Sequence, residues 1–261
     1  LRCLACCMDG LLYYDLKAVS GLTPGLATQV CREVGRRIIA GHFPEGQFID
    51  DENRLCDRFN VSKSVVREAI KILVSKGLLE VRRGNGTKVK PRSSWNLLDD
   101  DVLAWHLGTD PKPDFLKKLI DIRLMIEPNA AYWAASTASS SQIAEIRNSH
   151  NDMEKATNIQ EFVIADAKFH RAVLRAANNE LLTSMDGVIF SALLTSIKIT
   201  NNDPIDNRTR SLPLHLKILR SIEMHDKEGA QVAMRGHLAD TYDRLSILLP
   251  ELNLETKVYD I

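Results

Sequence analysis

One stretch, Val61 to Lys90, constrains the fold of this chain more than any other: VSKSVVREAIKILVSKGLLEVRRGNGTKVK. Its first half repeats apolar residues at helical spacing, and Gly77 then stands where a helix ends in a left-handed residue. Its second half holds two short β-prone runs on either side of Arg83-Gly84-Asn85-Gly86, which indicates a hairpin. A helix leading directly into a β-hairpin is therefore the first fixed point of the fold.

Two more helical patterns precede this stretch. Residues 27–40 place Val30, Val34 and Ile38 at helical spacing, and residues 50–59 begin with acids that suit a helix N-terminus. Ser62 is the expected N-cap of the helix that follows. Two short helices joined by a tight turn, the second with a basic outer face, predict a helix-turn-helix with the hairpin as its wing. The alternative is a helical domain with a solvated basic face.

The charge distribution favours a nucleic-acid partner. The whole chain has 34 basic and 34 acidic side chains, but residues 24–92 hold 14 basic and 8 acidic ones, an excess of +6 that leaves −6 for the remainder. Such asymmetry is typical of a DNA-binding module joined to a different domain. We therefore expect a winged helix-turn-helix DNA-binding domain over residues 24–91.

The cysteines and the chain ends bear on location. Cys3, Cys6 and Cys7 crowd into residues 1–23, which we expect to be a disordered leader, because this segment lacks both zinc-ligand spacing and the features of a secretory signal. No cysteine framework spans the chain, and no apolar run reaches the roughly 18 residues of a membrane helix. The sequence thus predicts a cytoplasmic protein with no membrane partner.

Helical periodicity continues after a linker at residues 92–98, in which Arg92 is placed to touch DNA or the adjoining domain. The expected helices are 99–107, 114–136, 139–157, 159–178, 179–200, 207–225 and 227–249. Breaks such as Asp110-Pro111 and Asn178-Asn179 separate several of them. The predicted fold class is therefore mostly α, with an all-α helical bundle over residues 99–250 and a tail at residues 251–261.

Polar residues interrupt the apolar pattern of this bundle. Asp166 and His170 lie four residues apart and share a helix face, while His215 and His237 lie on two other helices among apolar neighbours. Buried imidazoles need partners, which a shared divalent cation would supply. Satisfied core histidines, or exposed ones, are the alternative on spacing alone.

Arg123 presents a similar choice. It lies in an otherwise apolar helical stretch, DIRLMIEP, with Glu127 one turn further on. An arginine in this setting is either neutralised by the glutamate or aimed at a carboxylate ligand, and the pattern leaves both open.

Residues 26–92 resemble the winged-helix domain of the GntR superfamily of bacterial transcription regulators. The stretch quoted above matches that family's basic-Ser/Thr-x-x-Arg-Glu-Ala helix, its Gly-Leu/Ile strand and its Gly-x-Gly-Thr wing. The resemblance implies that operator DNA is read by Lys63, Ser64 and Arg67 of the recognition helix and by Arg83 and Gly84 of the wing. Asn53 is a further DNA-binding candidate. The family usually has arginine at the positions of Lys63 and Asn53. Because arginine forks onto guanine and lysine acts as a point charge, the operator sequence stays open.

The bundle resembles the FCD domain, the ligand-binding partner of the winged helix in the FadR branch of this superfamily. The residues that carry this likeness are DIRLMIEPNAAYWAA, DAKFHRAV and the two separate histidines. It implies a divalent cation held by Asp166, His170, His215 and His237, with zinc expected and nickel or manganese as alternatives. Members commonly have glutamate where this chain has Leu214.

The effector is also implied by resemblance. The segment PRSSWNLLDDDVLAWHL is similar to that of sugar-acid regulators of the galactonate-operon type. This likeness implies a small carboxylate effector, an aldonate such as D-galactonate or a related sugar acid, and it favours Arg123 as the effector-binding residue.

Three functions are compatible with these patterns. The first is a homodimeric transcription regulator, a repressor that leaves a palindromic operator when a sugar acid binds near the metal. The second is a metal sensor, in which the cation itself is the signal. The third is a metal-dependent hydrolase or lyase, although no general base stands beside a ligand and a catalytic role would leave the winged helix unexplained.

Overall fold

A computed structural model describes residues 25–82, 84–107, 113–200 and 207–250. The chain divides into two compact units, one holding the described residues up to Leu107 and the other those from Pro113 onwards. The expected leader, the tail and wing residue Arg83 lie outside the described residues.

The first unit is a winged helix-turn-helix, as the sequence predicts. Its elements are α1 Leu26–Ile39, α2 Glu52–Phe59, α3 Lys63–Ser75, β1 Leu79–Arg82, β2 Gly86–Val89 and α4 Asp100–Leu107. The two strands pair antiparallel, with Leu79 opposite Val89. Phe48 adds a bridge to Lys88, so the chain before α2 widens the wing beyond the predicted hairpin.

Local signals set the boundaries of the two short helices. The Asp51 side chain accepts the Arg54 backbone N–H at the start of α2, and Asn60 ends that helix with a left-handed backbone. Ser62 stands at the N-cap position of α3, but its hydroxyl bonds that of Ser64 at 2.8 Å and makes no capping bond. After α3, Gly77 has a φ of +77°, and a Cβ there would lie 2.2 Å from the Ser94 carbonyl oxygen. Only glycine meets both demands.

The core of the first unit extends past the wing. Trp95, Val102 and Trp105 are buried together with the apolar faces of α1 and α3. An ion pair reinforces this contact, because Lys76 Nζ lies 2.7 Å from Asp99 Oδ1 and 2.8 Å from Asp101 Oδ2. The expected linker and the first expected bundle helix therefore belong to the compact unit that carries the winged helix, whereas the sequence pattern places that helix in the bundle.

The second unit is an all-helical bundle, again as predicted. Its helices are α5 Pro113–Thr137, α6 Ser140–Lys155, α7 Ile159–Ala176, α8 Glu180–Ser184, α9 Asp186–Thr200, α10 Leu212–Glu223 and α11 Lys227–Leu248. The helix expected over residues 179–200 is interrupted at Met185, and that expected from residue 207 begins with a π-helical turn, Asn207–Ser211.

Side-chain caps and one apolar core organise this bundle. Ser139 and Gln142 form a reciprocal capping box at the start of α6, and Asn158, Asn179 and Asp226 cap α7, α8 and α11. The core is continuous across α5, α6, α7, α10 and α11. None of the helices in the described parts of the chain combines the length and the apolar character that a membrane span requires.

Candidate metal centre and nucleic-acid interface

The exposed surface of α2 and α3 carries the predicted DNA-reading side chains. Lys63, Ser64 and Arg67 are exposed in the first turns of α3, and Asn53 is exposed in the first turn of α2. The opposite face of α3 buries Val66 and Leu73 in the core. Burial of that face fixes the rotation of α3, so its basic face points to solvent.

Arg67 has a partner that the sequence did not indicate. Its Nε lies 2.9 Å from Glu52 Oε2 and 3.2 Å from Oε1, across the turn between α2 and α3. The arginine is 63% exposed, so the pair is well solvated and adds little stability. It holds the guanidinium of Arg67 against Glu52 at the start of α2.

The remaining DNA-binding candidates lie in the wing and after it. Gly84 is exposed at the hairpin tip with a φ of +79°, which favours glycine at that position. Arg92 is half-buried, since its Nη2 lies 3.0 Å from His106 Nε2 and its guanidinium lies 5.2 Å from the Trp95 ring. The sequence left open whether Arg92 contacts DNA or the adjoining domain. In the structure it contacts His106 of α4 and Trp95 of the segment before α4.

Four donors converge inside the bundle. Helix α7 supplies Asp166 and His170, α10 supplies His215 and α11 supplies His237, and all four are at most 4% exposed. Asp166 Oδ1 lies 3.2 Å from His215 Nε2 and 3.3 Å from His170 Nε2, and the two Nε2 atoms lie 3.3 Å apart. The ligand atoms of the three histidines all lie within 4.8 Å of one another. The structure thus brings together every residue that the sequence predicted for this cluster.

The donor set fits a divalent metal ion. Ligand atoms roughly 2.0–2.2 Å from a tetrahedral ion are separated by roughly 3.3–3.6 Å, close to the three separations above. The Nδ1 of His215 lies 2.8 Å from the Ser211 carbonyl oxygen, to which it donates a hydrogen bond. The lone pair of the ring therefore lies on Nε2, the nitrogen that faces Asp166 and His170. The buried Nδ1 of His237 has no hydrogen-bond partner among the described residues, as expected of a side chain whose partner is an ion.

A buried ion pair adjoins this cluster. His170 Nδ1 lies 2.5 Å from Glu127 Oε2, and Arg123 Nε lies 2.5 Å from Glu127 Oε1. Glu127 and Arg123 are 1% and 2% exposed. The first of the two roles that the sequence left open for Arg123, neutralisation by Glu127, is therefore observed. The i,i+4 spacing on α5 was the signal for this pair, but nothing in the sequence connected Glu127 to His170.

The electrostatics favour negative carboxylates and one neutral imidazole. Burial alone would raise the pKa of Glu127, but the charges of Arg123 and His170 outweigh it and lower the pKa to about 2. Asp166 follows the same logic: burial opposes ionisation, and His215 and His170 nevertheless hold its pKa well below the usual value. Burial and the neighbouring His215 and His170 keep the pKa of His237 well below its ordinary value, so that ring keeps its lone pair.

Comparisons with known proteins agree with both halves of this arrangement. A family description, "Bacterial regulatory proteins, gntR family", matches residues 26–89, and another, "FCD domain", matches residues 118–240. The galactonate operon transcriptional repressor of Escherichia coli (strain K12) is 32% identical over 213 residues, which are 81% of this chain and 93% of that protein.

The chain belongs to the GntR family of bacterial transcription regulators, with an FCD domain.

Two further relatives extend the comparison. The Glc operon transcriptional activator of Escherichia coli (strain K12) is 25% identical over 80% of this chain and 84% of its own length. A solved structure described as "Lar controls the expression of the Listeria monocytogenes agr system and mediates virulence" has a TM-score of 0.61 at 16% identity. It covers 87% of this chain and 100% of that chain, and it shows the shared fold alone. These families consist of transcription regulators, so this protein is a DNA-binding regulator and not the hydrolase or lyase considered above.

Proposed function

We propose that this regulator is a cytoplasmic homodimer that represses a sugar-acid catabolic operon. It leaves its operator when a small carboxylate effector binds beside a divalent metal ion in the bundle. The observation that carries this proposal is the buried convergence of Asp166, His170, His215 and His237 in the domain attached to a winged helix. A divalent ion would be a common partner for these buried donors, and a regulator needs a place where a signal can bind.

The DNA-binding half of the proposal rests on the exposed face of α3. Lys63, Ser64 and Arg67 read the major groove, Asn53 assists from α2, and the wing tip at Arg83 and Gly84 contacts phosphates or the minor groove. Arg92 supports this surface through its contacts with Trp95 and His106. A second copy of the chain sets a second recognition helix into the next major groove of a palindromic site. On DNA binding, Arg67 gives up its ion pair with Glu52 and contacts DNA instead. Breaking this solvated ion pair costs little free energy.

The effector half rests on charge. With the three imidazoles neutral, as metal binding requires, Asp166, Glu127 and Arg123 together carry one net negative charge, which a divalent ion would convert into one net positive charge. Zinc suits three imidazoles and a carboxylate, and nickel or manganese are alternatives. The ion, when bound, would supply positive charge to an anionic ligand, and a five- or six-coordinate ion would also have open positions beside its four protein ligands. Arg123 adds a buried cation, which faces Glu127 beside His170. A carboxylate is therefore the chemical class that the loaded site favours.

The relatives support the choice of carboxylate but leave the direction of control to experiment. One relative bears the name of a galactonate operon repressor, and another that of a Glc operon activator. The galactonate relative has the higher sequence identity of the two. We therefore propose a sugar acid as the effector and repression as the direction of control.

Two linked experiments test the proposal. Selection from a random duplex library should enrich a palindromic site for the full-length chain, and Arg67→Ala should lose that enrichment. Thermal melting of the Zn²⁺-loaded protein with a panel of aldonates and uronates should show a raised Tm for at least one sugar acid, because a ligand of the native state alone stabilises it. A panel that leaves the Tm unchanged would refute the effector assignment. Operator binding that changes with Zn²⁺ alone would instead favour the metal sensor.

A further inference from the structure

The three imidazoles of the donor cluster differ in what lies against their Nδ1 atoms. For His215 the partner of Nδ1 is a neutral backbone carbonyl, that of Ser211, at 2.8 Å. For His237 the Nδ1 has no partner among the described residues. For His170 the Nδ1 also makes no hydrogen bond of regular geometry, but the Glu127 carboxylate lies 2.5 Å from it in an ion-pair contact, which His237 lacks among the described residues. His170 is thus the histidine of the three whose ring is held by a full negative charge.

The position of Glu127 is itself fixed from the other side. Arg123 Nε lies 2.5 Å from Oε1 and Arg123 Nη2 lies 3.4 Å from Oε2, so the guanidinium faces the carboxylate one helical turn away. Both side chains are buried, with Arg123 2% and Glu127 1% exposed. A lone buried charge on either residue would be strongly unfavourable, so each keeps the other in place. The result is a chain of contacts from Arg123 through Glu127 to His170.

We propose that Glu127, held by Arg123, is a positioning residue that fixes His170 for metal binding. It keeps the proton of the imidazole on Nδ1, so that the lone pair of Nε2 points at Asp166 and His215. The carboxylate also makes the imidazole a stronger donor, as such partners of metal-bound histidines do. This inference rests on the proposed metal site. It gives the buried ion pair a role distinct from binding the effector.

The test measures Zn²⁺ affinity of the full-length chain against a chromophoric competing chelator. Glu127→Gln should weaken the affinity about 10- to 100-fold, the range usual for loss of a carboxylate behind a metal-bound histidine. Glu127→Gln also removes the carboxylate that faces the buried Arg123 guanidinium, so the double variant Arg123→Leu/Glu127→Gln is measured beside it. The same weakening in both variants separates the loss of the carboxylate from the loss of stability. Glu145→Gln, at an exposed carboxylate on α6, is the matched control and should keep wild-type affinity.

A spectroscopic measurement reports the histidine directly. Nitrogen-15 spectra are recorded on the Zn²⁺-loaded protein labelled at histidine. In Glu127→Gln the Nδ1–H resonance of His170 should shift, whereas the ring resonances of His215 and His237 should stay in place. Wild-type Zn²⁺ affinity in both Glu127 variants, together with loss of binding in His170→Ala, would overturn the inference and leave the metal site standing. A wild-type protein that binds no Zn²⁺ would overturn both.

Discussion

The contact between Gly35 and Trp105 gives the sharpest test of the first unit. A Cβ added at Gly35 would lie 2.3 Å from Trp105 Cζ3 and 2.5 Å from Cε3, well inside the roughly 3.5–4.0 Å of carbon–carbon contact. Trp105 is 2% exposed, and Lys76 lies over its ring at 5.9 Å, so the indole has little room to yield. Gly35→Ala should therefore push α4 away from α1.

The magnitude follows from two opposing terms. Overpacking of this kind costs about 1–3 kcal/mol, and replacing a mid-helix glycine by alanine returns about 1 kcal/mol. Gly35→Ala should be neutral or destabilise by up to about 2 kcal/mol in the wild-type chain. In a Trp105→Ala background the overlap is gone, and the same substitution should stabilise by about 1 kcal/mol. The sign of the effect thus depends on Trp105.

The assay is denaturant unfolding of the four variants of this cycle in the full-length chain. Amide hydrogen exchange along α1 reports on the first unit separately, because two compact units need not unfold together. Gly236→Ala is the control, since Gly236 is an exposed residue of α11 with nothing within 4 Å of an added Cβ. An equal effect of Gly35→Ala in both backgrounds would refute the packing of α4 against α1.

Three other predictions concern a cap, a buried histidine and the DNA-reading surface. Ser139→Ala should destabilise the bundle by about 1 kcal/mol, because the Gln142 backbone N–H loses the Ser139 hydroxyl that accepts its hydrogen bond, and thermal melting checks this. Burial, with the charge of Arg92, lowers the pKa of His106 to about 4. His106 therefore binds a proton at higher pH in the unfolded chain than in the folded chain. The free energy of unfolding consequently falls as the pH drops from about 6.5 towards 4. Between pH 7 and pH 5, His106→Gln should therefore lose about 2 kcal/mol less stability than the wild-type protein. Arg67→Ala should weaken operator binding by about 1–3 kcal/mol, and Glu52→Gln, which frees Arg67, should strengthen it in anisotropy titrations.

Each of these has a contrary outcome. An unchanged melt in Ser139→Ala would mean that the capping box adds no stability. If wild type and His106→Gln had the same pH dependence between pH 7 and pH 5, the low pKa of His106 would be wrong. If Glu52→Gln weakened binding as much as Arg67→Ala, the ion pair would be part of the DNA-bound state and not an alternative to it.

Much of the fold was predictable because its signals are local. The spacing of Val66 and Leu73 sets the buried face of α3, and Gly77 and Asn60 end helices by their own backbone preference. The interruption at Met185 has no such signal, because glycine and proline are both absent from residues 179–185. The placement of α4 depends on Trp105 meeting a glycine far away in sequence, a tertiary fit that periodicity does not contain.

The candidate site divides in the same way. Asp166 and His170 form a recognisable pair at i,i+4, whereas their convergence with His215 and His237 depends on how three helices pack. Glu127 was visible as a neighbour of Arg123, but its contact with His170 crosses from α5 to α7. Likewise, the pairing of Arg67 with Glu52 follows from the turn between α2 and α3. Residue type and spacing identify candidates, and only the fold reveals which of them share a proton or an ion.

The most direct test of the proposed function is the operator affinity of the metal-loaded protein with and without sugar acid. Fluorescence anisotropy with the selected duplex, Zn²⁺-loaded full-length chain and D-galactonate or a related aldonate measures it at fixed salt. We predict a loss of operator affinity of about 5- to 150-fold at saturating sugar acid, the usual range of coupling between two sites. An affinity that stays constant across the whole panel, for protein that binds both Zn²⁺ and operator, would contradict control of this regulator by a sugar acid.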